Sequence, residues 1–209
     1  MPEARPAALP PAERTVGQLV AESIRLYGSR FWVVLPLGIP FVAVDVLGIG
    51  QDVNVQTVIL WVCAPLFCLA IVRASSIVTG ARPTWPAFFA AVLIFLPFPI
   101  LVRLYILPGV VWFGLFGLAV PAAVAERLPL GKALVRGRAL SSAHLAHAIG
   151  GIAALALVYG VSRGFLLILL HTQGNQTQAV ALVLADLVLS PLLFIGTALL
   201  YVDQAARTK

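Results

Sequence analysis

Long runs of apolar residues alternate with short polar breaks along this chain. Phe31 to Gly50 contains one charge, Asp45. Ala87 to Leu107 contains one, Arg103, and His144 to Leu170 contains one, Arg163. A helix rises about 1.5 Å per residue, so about 20 residues cross about 30 Å of hydrocarbon. The runs therefore predict membrane-spanning helices at about 31–50, 55–78, 87–107, 109–125, 144–170 and 178–202. Between them lie polar turns. Gln51 to Asn54 carries no basic residue, and neither does HTQGNQT at 171–177. In TGARPTWP, Gly80 is placed to end one helix, Thr84 to cap the next and Pro86 to sit in its first turn. Pro108 and Gly109 are expected to form a tight turn before the short fourth run; one bent span there would leave five crossings. Pro36, Pro40, Pro97, Pro99 and Pro121 interrupt the ladders, which membrane helices tolerate when neighbours re-satisfy the freed carbonyls.

Two further segments read as amphipathic helices. Thr15 fits an N-cap with Gln18 as its capping-box partner, and Val16, Leu19, Val20, Ile24 and Tyr27 follow at helical spacing. Lying in the headgroup plane suits this helix. The longest internal loop, 126–143, interleaves Leu130, Leu134 and Leu140 with Arg127, Lys132, Arg136 and Arg138. The expected architecture is all-α: a polytopic transmembrane bundle of about six spans with interfacial helices. Residues 1–12, rich in Pro and Ala, read as a disordered tail, and 13–209 as a single membrane domain. Residues 1–30 hold no apolar signal-peptide core, so the first span is expected to act as the insertion signal.

Composition supports this picture. The chain is 61% apolar and 11% charged, against about a half and about a quarter in soluble domains. The net charge of +6 does not point to nucleic acid, because the basic residues lie between apolar runs rather than in one stripe. With six spans and the N-terminus inside, twelve of the 14 basic residues fall on the cytoplasmic side. This satisfies the positive-inside rule and places both termini in the cytoplasm, with the chain in the cell membrane. Arg in large excess over Lys, with abundant Ala, hints at a bacterial source.

A charge at mid-bilayer costs about 2.5–3.5 kcal/mol on insertion scales. Asp45, Arg103, Arg163 and Asp186 therefore need partners or a purpose. Arg163 and Asp186 lie at depths within about 2 Å of each other on adjacent antiparallel spans and are expected to pair. Asp45 and Arg103 share a similar depth and are placed to do the same. Asp186, Ser190 and Thr197 form one stripe, which should face the bundle interior. Two meanings remain open: a structural ion pair, or a polar site for a substrate or ion. Ala146, Gly150 and Ala154, four residues apart, should allow close approach of another helix.

Catalytic chemistry does not assemble. His144 and His147 are three apart, but His171 falls at the opposite membrane face. There is no H-E-x-x-H, P-loop or Gly-x-Ser-x-Gly. Cys63 and Cys68, inside an apolar run, read as buried thiols. No enzyme activity, cofactor or metal is expected.

Several motifs resemble one family. They are VGQLVAESIRLYGSRFWVVL, GARPTW, LPGVVWFGLFGLAVPAAVAE followed by GKALVRGRALSS, and the ending LLYVDQAAR. Together they resemble the bacterial six-span proteins related to the membrane domain fused to some glycerophosphodiester phosphodiesterases. Pro108, Gly109, Pro121, Glu126, Ala133, Leu134, Arg136 and Leu140 hold the family's places. Val110 and Gly137 depart from its usual Ile and Ser, and Phe113 and Gly114 occupy the region of a frequent basic residue. The resemblance implies membrane residence and no phosphodiesterase activity, since that catalytic domain is absent.

The functional expectation is a membrane accessory or scaffold protein at the cytoplasmic face. Its partners would be the bilayer, anionic lipids or another membrane protein, with Lys132, Arg136 and Arg138 as lipid contacts. The alternative is a small transporter or channel built around Arg163 and Asp186.

Overall fold

The computed structural model describes residues 10–208. Most of the expected tail, with Arg5 and Lys209, lies outside them. Every regular element in the described residues is helical.

A 3-10 turn (Pro11–Glu13) leads into α1 (Val16–Ser29). Thr15 caps α1 as expected: its hydroxyl accepts from the Gln18 N–H, and the Gln18 side chain accepts from the Thr15 N–H. α1 is not a detached surface helix. Leu19, Ser23 and Tyr27 are buried, and it packs on the helices Leu145–Leu169 and Pro191–Arg207.

The first span comprises α2 (Phe31–Val34), a 3-10 turn (Leu35–Gly38) and α3 (Ile39–Gly48). Pro36 sits in the first turn of the 3-10 segment, where a missing N–H is tolerated. The second span is α4 (Val53–Val62) and α5 (Ala64–Thr79), which bend by 50° at Cys63. Pro65, in the first turn of α5, accounts for the bend within the span expected at about 55–78. Gly80 ends α5 in the left-handed region (φ 72°), as expected. Thr84 does not cap α6; its hydroxyl is buried without a partner.

The third span is α6 (Trp85–Phe95) with α7 (Phe98–Leu104), and the fourth is α8 (Ile106–Phe116) with α9 (Ala119–Ala125). Here the expected Pro108–Gly109 turn is corrected. The reversal occurs at Tyr105, in extended conformation, and Pro108 and Gly109 belong to the first turns of α8. A proline at the third helical position removes an N–H that has no intrahelical acceptor anyway, so it continues a helix start rather than breaking it. The fourth span thereby reaches 20 residues, from Ile106 to Ala125.

α10 (Leu130–Ala143) packs on α8 and α9, α11 (Leu145–Leu169) is the fifth span, and α12 (Asn175–Leu189) with α13 (Pro191–Arg207) forms the sixth, broken at Ser190 before Pro191. Among the described residues, five helical segments are long and apolar enough to cross a membrane, and the pair bent at Cys63 supplies a sixth. Leu157, Val161, Phe165 and Ile168 line one exposed face of α11. A soluble protein rarely exposes such a stripe, and lipid is its natural solvent. The chain is a multi-pass membrane protein.

The core forms where α5, α9 and α13 meet, with Ala119 to Val124 wholly buried. The breaks elsewhere are satisfied locally. The indole N–H of Trp112 donates to the carbonyl of Ile94 (2.8 Å), and that of Trp61 to the carbonyl of Leu96 (3.0 Å). Two tryptophans therefore cover carbonyls at the proline-broken third span, as burial in lipid requires. The close-packing face of α11 is not the expected Ala146–Gly150–Ala154 line: Ala146 is exposed, and the buried residues lie on nearly the opposite side of the helix. Ala148, Gly151, Ile152 and Leu155 are the buried residues, and Gly151 abuts Leu19 and Leu200.

Candidate functional site: a buried carboxylate–guanidinium–tyrosine cluster

Three helices contribute one polar cluster inside the spanning region. α11 carries Tyr159 and Arg163, four residues apart and therefore on one face. α12 carries Asp186, and α3 carries Asp45. Arg163 Nη1 donates to Asp186 Oδ2 and Nη2 to Asp45 Oδ1, both at 2.8 Å. The Tyr159 hydroxyl donates to Asp186 Oδ1 at 2.8 Å and accepts from Arg163 Nη1 at 3.0 Å. Side-chain exposure falls from 29% at Arg163 to 16% at Asp45 and zero at Asp186. Phe41, one turn before Asp45, packs its ring on Tyr159 and on Phe67 and Phe194. Tyr159 thus rests on an aromatic floor beneath the polar groups.

The expected Arg163–Asp186 pair is present. The expected Asp45–Arg103 pair is not: Asp45 joins Arg163, and Arg103 donates to the side-chain carbonyl of Asn54. Depth along the membrane normal was matched for all four, but depth does not say which way a side chain points around the bundle. α3 packs on α12, whereas α7 packs on α4 and α8. The stripe Asp186, Ser190 and Thr197 is buried, as expected; Ser190 and Thr197 return their hydroxyls to carbonyls one turn earlier in their own helix. Tyr159 escaped sequence reading although its four-residue spacing from Arg163 was visible.

The phenol contributes two of the cluster's hydrogen bonds, one to a carboxylate and one from a guanidinium. Tyr159→Phe should therefore cost about 1–3 kcal/mol, the range for leaving a buried polar partner unmet. Thermal unfolding in detergent tests this, and a melting curve identical to wild type would contradict it.

The three basic residues expected to meet lipid divide into two classes. Arg136 Nε pairs with Glu126 Oε1 at 3.0 Å, and the Tyr201 hydroxyl donates to the same oxygen at 3.0 Å. Arg136 thus ties α10 to α13 through the residue that ends α9. Lys132 and Arg138 are exposed on the side of α10 turned away from its buried residues, on either side of exposed Val135, with Lys132 one turn from Arg136. Nearby, Arg14 pairs with buried Asp203 at 3.0 Å, and Arg207 donates to the Arg14 carbonyl. Cys63 and Cys68 are buried free thiols. Among the described residues no three His, Cys, Asp or Glu side chains gather closely enough to hold a metal.

Comparison of the chain with protein-family models, with curated proteins and with solved structures finds no match.

Proposed function

We propose that this protein is a non-enzymatic, multi-pass accessory or scaffold component whose cytoplasmic face holds anionic lipid through α10. One observation carries the reading. α10 buries Ala133, Gly137 and Leu140 against the bundle and leaves Lys132, Val135 and Arg138 exposed in one row. An apolar residue between two cations suits a helix seated at an acyl–headgroup boundary. The cytoplasmic assignment follows from the bias of basic residues toward one side of the six-span topology. The resemblance to six-span phosphodiesterase membrane domains agrees in implying membrane residence without an activity.

Each basic residue near an anionic leaflet contributes about 1 kcal/mol, or roughly fivefold in relative affinity. The protein reconstituted in phosphatidylcholine vesicles with spin-labelled phosphatidylglycerol should show selective contact with the anionic lipid. Lys132→Ala and Arg138→Ala together should lower that selectivity more than tenfold, while Arg136→Ala leaves it in place. Wild-type selectivity in the double variant would end the proposal.

A second reading, a small transporter or channel around Arg163 and Asp186, is favoured by the interruptions in five of the six spans. Broken helices beside a buried polar site are a transporter arrangement. It fails if Asp186→Asn combined with Arg163→Gln leaves the ion fluxes of wild-type vesicles unchanged.

A further inference from the structure

The charges of the buried cluster do not balance. Asp45 and Asp186 are two acids, and Arg163 is the one base bonded to them. The other ionisable member, Tyr159, spends its proton on Asp186. Both oxygens of Asp186 have donors, but Asp45 Oδ2 is buried with none. Of the elements packed around α3 and α12, α5 carries Arg73, which is exposed and forms no ion pair with either acid, and α13 carries Arg207, which donates to the Arg14 carbonyl, so neither compensates the charge. Asp52 caps its own helix at the head of α4, the 3-10 turn Leu35–Gly38 carries no charge, and the acid of α13, Asp203, is held by Arg14. An extra negative charge within a membrane span is costly. Two carboxylates on adjacent nitrogens of one guanidinium also repel each other, and sharing one proton relieves such a pair.

We infer that Asp45 and Asp186 together hold one proton at neutral pH, making the cluster a buried proton-binding site. The proton sits on the Asp45 side, where Oδ2 lacks a donor and, once protonated, can turn its O–H toward Asp186. Arg163 then faces one net negative charge and the cluster is neutral. The site takes up and releases a single proton; no bond to carbon changes and no electron moves. This inference depends neither on lipid contact by α10 nor on transport.

Infrared spectroscopy of the protein in lipid vesicles, in H2O and D2O at neutral pH, reads the carbonyl stretch of a protonated carboxyl group. The wild type is expected to show this band, with the isotope shift of an exchangeable carboxyl proton. Asp45→Asn should remove it while the Arg163–Asp186 pair remains, and because that variant is charge-balanced it should unfold no earlier than wild type. Asp203→Asn should keep the band. Absence of the band in wild type would overturn the inference, and that measurement needs no variant to fold. Survival of the band in Asp45→Asn, or its loss in Asp203→Asn, would equally overturn it by assigning the proton elsewhere.

Discussion

Arg163→Gln is expected to destabilise the protein by about 3–5 kcal/mol, the range for removing one partner of a buried ion pair. The guanidinium contacts Asp45, Asp186 and Tyr159 at once, so its loss removes the group that ties α3 and α12 to α11. Even with one carboxyl protonated, the remaining carboxylate has no counter-charge. Glutamine keeps some hydrogen-bonding capacity, so the effect reports charge more than volume. Converting the acids as well, to Asp45→Asn and Asp186→Asn in the same chain, should restore much of the loss. A neutral, hydrogen-bonded cluster avoids the desolvation of ions, and groups in one network do not add independently. Unfolding of the reconstituted protein by graded addition of denaturing detergent gives both numbers. If Arg163→Gln unfolded with the wild type, the cluster would contribute nothing to stability.

The second large effect is expected at two glycines. A Cβ on Gly137 would lie 2.5 Å from Ala119 Cα and 2.7 Å from its Cβ. A Cβ on Gly38 would lie 2.8 Å from Leu187 Cα and closer still to the Leu187 carbonyl oxygen. Both meet backbone, which cannot swing aside as a side chain can. Gly137→Ala should push α10 off α9, and Gly38→Ala should push the break in the first span away from α12. Overpacking of this kind costs about 1–3 kcal/mol, occasionally more. Gly160 on α11 is the control, because a Cβ there meets nothing within 4 Å. Gly160→Ala should leave stability unchanged or raise it by about 0.5–1 kcal/mol, since alanine favours a helix interior. Thermal unfolding that ranks all three variants together would refute the steric account. The two variants also separate in function. Gly38→Ala should disturb the cluster that joins α3 to α12, whereas Gly137→Ala should displace the row of Lys132, Val135 and Arg138.

The helical character of the chain and the positions of its long apolar helices were legible in the residues. Apolar run length answers directly to bilayer thickness, so span positions needed no knowledge of packing. Local chemistry was equally plain at Thr15 with Gln18 and at Gly80, where cap and turn depend on a few neighbouring residues. The Arg163–Asp186 pair was legible because a short turn joins their spans, and counting residues from that turn gives both depths. Misplacement of the Pro108 turn has a local cause too: proline ends a helix in its interior but suits its first turn, and the start of α8 lay three residues earlier than assumed.

What the tertiary structure alone decided was direction around the bundle. Asp45 meets Arg163 rather than Arg103 because Gly38 lets the first span lie against the sixth, and no count along one helix reports that neighbour. Arg136 pairs with Glu126 while Lys132 and Arg138 have no such partner and face outward, a division that three similar cations in one loop do not reveal. The periodicity of a helix in lipid says how deep each side chain lies. Which helix it faces depends on contacts between segments distant in the chain, and those are set by where backbones approach without a side chain between them.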